Sequence, residues 1–232
     1  MDVRRRSFRA RAGLLRCGVA AGPLFISAVL VEGALRPGYN PLRHPISSLS
    51  LGPTGWTQRV NFWVTGGLYV GAALGLWRSR KHVELIPPAG PILVGTVAVG
   101  LIGAGVFPCD PVNGYPPGSA EVSPRTTAGR LHDLFSSPVF LCLPGAAVVS
   151  ARAAFRAGDR TLVVASLATA ATQLACFVAA GAGFSQEQPA LMRFGGAFQR
   201  ASVLAGFGWL SAWCARALQV DASSPARGIN RS

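Results

Sequence analysis

The residues able to do chemistry are few, and they are concentrated in three polar stretches. Two of the three histidines lie there: His44 in "RPGYNPLRHPISSLSLG" and His132 in "TTAGRLHDLFSSP". The stretch "FPCDPVNGYPPG" adds Asp110. Two imidazoles with one or two carboxylates are a plausible zinc set that leaves a coordination position for water. The pattern therefore raises the hypothesis of a zinc site formed by His44, Asp110 and His132.

A metal-bound water at such a site would attack an ester or amide in a lipid headgroup. His132 and Ser136 are four residues apart and share one face of a predicted helix, with Asp133 about 100° around it. The candidate catalytic residues are therefore His132, Asp133 and Ser136, and Ser47 or Ser136 would orient the water. The sequence lacks the HxxxH pair that intramembrane lipid hydrolases of this kind often carry.

Each of these residues also has a structural interpretation. Asp133 would pair with Arg130 and favour the start of a helix. Asp110 would accept hydrogen bonds from the backbone amides of its proline-rich turn. His44 would cap the exposed end of a short helix.

The second hypothesis is a pocket that binds a lipid headgroup or another small molecule. Its candidate ligand-binding residues are His44, Ser47, Asp110 and Arg200, with an anionic group on Arg200 or Arg43. Glu187 would join the same network. A structural or accessory subunit without a ligand is a further alternative. Ion-coupled transport is less favoured, because the apolar runs have few polar residues at their centres. Haem binding is less favoured, because only His44 and His132 are available as axial ligands on that side and one of them lies in a loop.

Few soluble-enzyme classes fit this chain. It contains no CxxC, GxSxG, HExxH or phosphate-binding glycine loop. Four of the five cysteines fall in or beside apolar runs, and only Cys109 lies in a polar stretch, so the cysteines do not form a disulfide framework.

The composition predicts an all-α integral membrane bundle. Half of the residues are hydrophobic and 13% are charged, against roughly 25% charged in soluble domains. The apolar residues form runs of about the 20 residues that cross a bilayer. The six predicted spans are residues 14–35, 62–77, 87–107, 134–154, 161–184 and 198–218. The net charge of +13 does not indicate nucleic-acid binding, because the arginines lie between the runs and not along one face.

The distribution of Arg and Lys predicts the orientation. Fifteen of the 22 lie in the N-terminal segment, the second and fourth connections and the C-terminal segment, and seven lie on the other side. Both termini are therefore expected in the cytoplasm of a cell with this protein in its plasma or inner membrane. A signal peptide would also begin with arginines and an apolar run, but this run is long and Glu32 occupies the cleavage region, so a retained helix is favoured.

Two local patterns refine this arrangement. Pro45 and Gly52 are placed as the first-turn proline and left-handed stop of a short helix, predicted to lie in the interface or the bundle mouth. Small residues recur four apart, a spacing that lets helices pack closely within the chain or in a homo-oligomer. These small residues are Gly18 and Gly22; Gly67, Gly71 and Gly75; and Ala171, Ala175, Ala179 and Gly183.

The motifs "RPGYNPLRHPISSLSLG…GW", "FPCDP" and "GRLHDLFS" resemble those of a bacterial membrane family filed as domain of unknown function 998. The resemblance covers nearly the whole chain. It implies a multi-pass membrane protein and supplies no activity. The predicted organisation is a cytoplasmic tail at 1–12, a six-helix transmembrane domain at 13–219 and a second cytoplasmic tail at 220–232, with membrane lipids as expected partners.

Overall fold

The structure is a computed structural model that describes residues 2–121, 123–185 and 188–223. Its described residues are mostly helical and contain no strand beyond one bridge between Val112 and Tyr115. The helices are α1 Asp2–Leu35, the 3₁₀-helix η1 Ile46–Ser50, α2 Trp56–Ser79, α3 Ala89–Val106, α4 Thr127–Arg156, α5 Arg160–Phe184, α6 Pro189–Met192 and α7 Gly195–Ser223. The predicted all-α class is confirmed.

Six long helices form a closed ring. From α1 to α5, each helix packs on the next one in the chain. Helix α5 then packs on α7, and α7 packs back on α1. We call the end with loops 36–55, 107–126 and 185–194 the loop end, and the opposite end the termini end. Four helices are long and apolar enough to cross a membrane, namely those spanning Arg6–Leu35, Ala89–Val106, Thr127–Arg156 and Arg160–Phe184.

The helices extend beyond the predicted apolar spans. Helix α1 begins at Asp2 and α7 continues to Ser223, so described parts of both predicted tails are helical. Arg11 and Asp221, from these two helices, form a two-pronged ion pair at 2.9 and 3.1 Å. Ser79 of α2 donates to the same carboxylate at 3.4 Å. This contact joins three helices at the termini end.

Glycines bring α3 close to the start of α4. A Cβ atom at Gly103 would lie 2.2 Å from the Phe135 ring, and one at Gly100 would lie 2.4 Å from the Phe135 carbonyl oxygen. Only a residue without a side chain permits this approach. The close contact places the first turns of α4, which carry His132, against the last turn of α3.

Several of the predicted small-residue faces pack inside the chain. Gly18 lies against Cys214 and Ala72, and Gly75 lies against the backbone of α1. Gly67, in contrast, has open space around its Cα. The homo-oligomer through such faces stays a prediction.

Candidate functional site

The first and second loops at the loop end are joined through His44. His44 is 5% exposed, and its ring packs against the rings of Tyr39 and Tyr115, with centroids 5.6 and 5.1 Å away. The backbone N–H of Asn40 donates to Nδ1 at 2.9 Å, so Nε2 carries the hydrogen and donates to the Asn113 carbonyl at 3.2 Å. Burial lowers the pKa of His44, the Asn113 hydrogen bond opposes that shift, and the charge of Arg43 adds to it. His44 therefore connects two loops as a neutral ring, while the N-cap position of η1 is occupied by Pro45.

Arg200 holds the first loop against α7. Its guanidinium donates to the carbonyls of Pro41 at 2.5 Å and His44 at 3.0 Å, and to the hydroxyl of Tyr39. It also lies 5.4 Å from the centre of the Tyr39 ring. The guanidinium is thus engaged by the protein itself, whereas the sequence analysis predicted a ligand for it.

Asp110 supports the start of α4. It accepts from the backbone N–H of Thr126 at 3.0 Å and from the Thr126 hydroxyl at 2.6 Å. The Thr126 oxygen in turn accepts from the N–H of Gly129 at 3.0 Å, which is the N-cap bond expected of a threonine there. A Cβ at Gly129 would lie 2.1 Å from the Asp110 carboxylate. The carboxylate therefore sits directly over the first turn of α4.

His132 is anchored to the end of α3. Its Nδ1 lies 3.1 Å from the Ala104 carbonyl and 2.9 Å from the Phe107 carbonyl. Carbonyls only accept, so Nδ1 carries the hydrogen and Nε2 of the neutral ring is an acceptor. The residue is 2% exposed, and no hydrogen bond joins Nε2 to any residue in the described part of the chain.

The neighbours of His132 on α4 have different partners. Asp133 pairs with Arg125, which lies just before α4, and not with Arg130 as expected. Ser136 donates to the carbonyl of Asp133 at 3.2 Å. Pro138 has no N–H for the Leu134 carbonyl, and the Ser137 hydroxyl donates to that carbonyl at 2.7 Å instead.

A cavity of about 590 Å³ opens at the loop end inside the ring. All six long helices and η1 contribute to its lining. The polar residues of its lining, which we call the mouth, include Asp110, Arg125, His132, Asp133 and Ser136. The apolar residues of its lining, which we call the floor, include six phenylalanines: Phe25, Phe62, Phe140, Phe177, Phe184 and Phe207. The volume lies within the ~300–1,000 Å³ typical of small-molecule sites.

Cys109 lies in the cavity wall beside Ser47. Its thiol donates to the Ser47 carbonyl at 3.2 Å. Burial raises the pKa of Cys109 to about 11, so the thiol is protonated near neutral pH. A nucleophilic role would require the thiolate.

The structure thus brings some of the predicted site residues together. Ser47, Asp110, His132, Asp133 and Ser136 line the cavity. His44 and Arg200 are absent from its described lining and bind loop carbonyls. Glu187 lies outside the described residues.

The metal hypothesis is not carried further by the geometry. Within residues 2–121, 123–185 and 188–223, no three His, Cys, Asp or Glu side chains form a group able to hold a metal ion. The zinc site of His44, Asp110 and His132, and the hydrolysis by His132, Asp133 and Ser136, stay predictions.

Three features escaped the sequence analysis. Gln199 lines the cavity and accepts from the N–H of Ile46 at 2.7 Å. Arg36 donates to the carbonyls of Leu49 and Thr54, which folds loop 36–55 back on itself. The phenylalanine floor draws on five different apolar spans, so no local pattern marks it.

A family model described as protein of unknown function (DUF998) matches residues 19–216. No curated protein and no solved structure matches the chain. The match includes all three polar stretches and every helix that lines the cavity.

Proposed function

The chain belongs to the DUF998 family of proteins of unknown function, and from the geometry we propose that it binds a membrane amphiphile in the loop-end cavity. The apolar part of the ligand lies on the phenylalanine floor and its head lies at the polar mouth. The observation that carries the proposal is the cavity itself, whose lining contains both polar side chains and six phenylalanines.

The floor suits an apolar chain because its rings supply close contact. Phe140 and Phe177 stack with centroids 4.5 Å apart, and Phe25 meets Phe207 edge-on at 5.1 Å. A lipid chain gains little by leaving one apolar environment for another, so its affinity must come from packing against such surfaces. The aromatic floor offers more contact per chain than mobile lipid tails do.

The mouth suits a polar head because hydrogen-bonding groups converge there. His132 lines the cavity, and its Nε2 has no hydrogen bond within the described residues. Ser136 and Ser137 lie on the next turn of α4 and also line the cavity. A ligand that hydrogen-bonds to Nε2 gains affinity from that bond.

The same proposal includes six membrane spans, with α2 and α7 crossing beside the four more apolar helices. The loop end then faces the exterior, and the termini end faces the cytoplasm. This orientation is supported by the excess of Arg and Lys at the termini end, fifteen of 22. A mouth at the loop end would therefore take its ligand from the outer leaflet.

The test is to purify the protein in a mild non-ionic detergent and quantify the lipid that stays bound. We expect about one amphiphile per chain for the wild type. Two alanines of α5 give a matched pair: Ala180, which lines the cavity and is buried, and Ala175, which is exposed. Ala180→Phe should expel the ligand because its ring fills the cavity, while Ala175→Phe should retain it. A wild-type protein without stoichiometric lipid would refute the proposal.

A further inference from the structure

The charged residues around the mouth of the cavity indicate which kind of ligand headgroup it accepts. Arg125 is the one arginine or lysine among the described lining residues, and it is paired with Asp133. Asp110 and Glu121 add two further carboxylates to the lining. The described lining therefore holds three carboxylates and one guanidinium. Arg43 lies outside the lining and pairs with Glu121, so the balance is three to two, and the excess of one carboxylate disfavours an anionic head.

Two other arginines at the loop end, Arg43 and Arg200, are also engaged. Arg43 is bound to Glu121 at 2.5 Å. Arg200 donates to the carbonyls of Pro41 and His44. A phosphate head would have to displace one of these partners before it gained a bidentate contact with either arginine.

His132 adds a requirement for a hydrogen-bond donor. Its Nδ1–H is bound to the α3 carbonyls of Ala104 and Phe107, so the ring orientation and the tautomer are both set. The unpaired Nε2 of this nearly fully buried ring is then an acceptor. The group that meets it must donate a hydrogen.

We propose that the cavity selects an uncharged lipid with a free hydroxyl group, which donates to Nε2 of His132. A long-chain alcohol or a monoacylglycerol has this chemistry, whereas an ether, an ester or a phosphate does not. This inference rests on the proposed function and specifies the ligand class of the same site.

The test compares three ligands with one chain length: hexadecan-1-ol, its methyl ether and hexadecyl phosphate. Each is added to the full-length protein in non-ionic detergent at pH 8, and bound ligand is measured by native mass spectrometry. We expect the alcohol to bind about tenfold more tightly than the ether, because the ether leaves Nε2 unpaired. The phosphate should also bind about tenfold or more weakly than the alcohol, because it meets an excess of carboxylates.

A variant pair assigns the selectivity to His132. His132→Phe keeps a ring and removes the acceptor, so the preference for alcohol over ether should fall to about one. His82→Phe makes the same change at the exposed histidine of the termini end and should keep the preference. If His132→Phe does not fold, the comparison of the three ligands on the wild-type protein still tests the proposal.

The outcomes separate the two proposals. Equal binding of alcohol and ether, or tighter binding of the phosphate, would overturn the hydroxyl selectivity and leave an amphiphile site in place. Binding of none of the three, together with no co-purified lipid, would overturn the proposed function.

Discussion

Asp110 and Asp133 are two aspartates near the start of α4 with very different surroundings. Asp110 accepts two hydrogen bonds from Thr126 and lies over the first helical turn. Asp133 forms an ion pair with Arg125 in which both side chains are more than half exposed. An exposed ion pair contributes about 0–1 kcal/mol, while hydrogen bonds to a charged group contribute about 1.5–3 kcal/mol.

Asp110→Ala is therefore expected to lower the free energy of unfolding by about 1–2 kcal/mol, and Asp133→Ala by less than about 1 kcal/mol. Thermal unfolding in detergent of the two variants beside the wild type measures the difference. Equal destabilisation by both changes would show that Asp110 does not support the helix start.

For single residues, the sequence showed which side chains matter better than it showed their hydrogen-bonding partners. Thr126 is the N-cap of α4, and a threonine directly before a helical stretch favours that position. The partners of Asp110 and His132 lie 16 and 25–28 residues away. They depend on how close α3 and α4 pack, which no local spacing encodes.

Loop 36–55 is an element whose parts were largely predictable. Pro45 precedes η1 and Gly52 follows it with a φ of 75°, as the predicted stop requires. The sequence could not show that Ile46, Ser48 and Leu49 are all buried, because the serine faces away from the apolar pair on a regular helix. Its attachment to the second loop depends on the neutral ring of His44.

That attachment is expected to weaken in acid. A proton on Nδ1 of His44 would break the hydrogen bond from Asn40. The pKa of His44 is lowered from 6.5 in the folded state, so the unfolded state binds the proton more tightly. The contribution of His44 to stability is thus complete above about pH 6.5 and is lost as the pH falls toward the lower folded pKa.

The measurement is the thermal midpoint between pH 7.5 and 5.0. The midpoint should fall with pH in the wild type and in His82→Gln, and fall less in His44→Gln, which has no titrating ring at this position. A wild-type protein that gains stability in acid would contradict the interpretation.

The whole molecule is a ring of six long helices. The sequence predicted where these helices lie but not that they close into a ring. Hydropathy located all six long helices, yet it placed their ends where charge begins. The hydrogen-bonded helices run further, through Arg59 in α2 and Arg11 in α1. Closure of α7 on α1 involves residues 210 positions apart, and the sequence carried no sign of it.

The orientation makes a prediction for the whole molecule. A reporter active only outside the cytoplasm, inserted at Gly118, is expected to be active, and the same reporter inserted at Gly158 is expected to be inactive. Both glycines have positive φ and open space around them, so the insertions are matched. Activity at Gly158 and none at Gly118 would contradict the orientation predicted from the distribution of Arg and Lys.

Ring closure also has a consequence for biogenesis. Because α7 follows the other five long helices in the chain, a nascent polypeptide inserted only through α5 lacks Phe207 and Gln199. It also leaves Gln173 without its contacts to Ser202 and Gly206 of α7. The cavity is therefore enclosed only after the last long helix has packed against both α5 and α1.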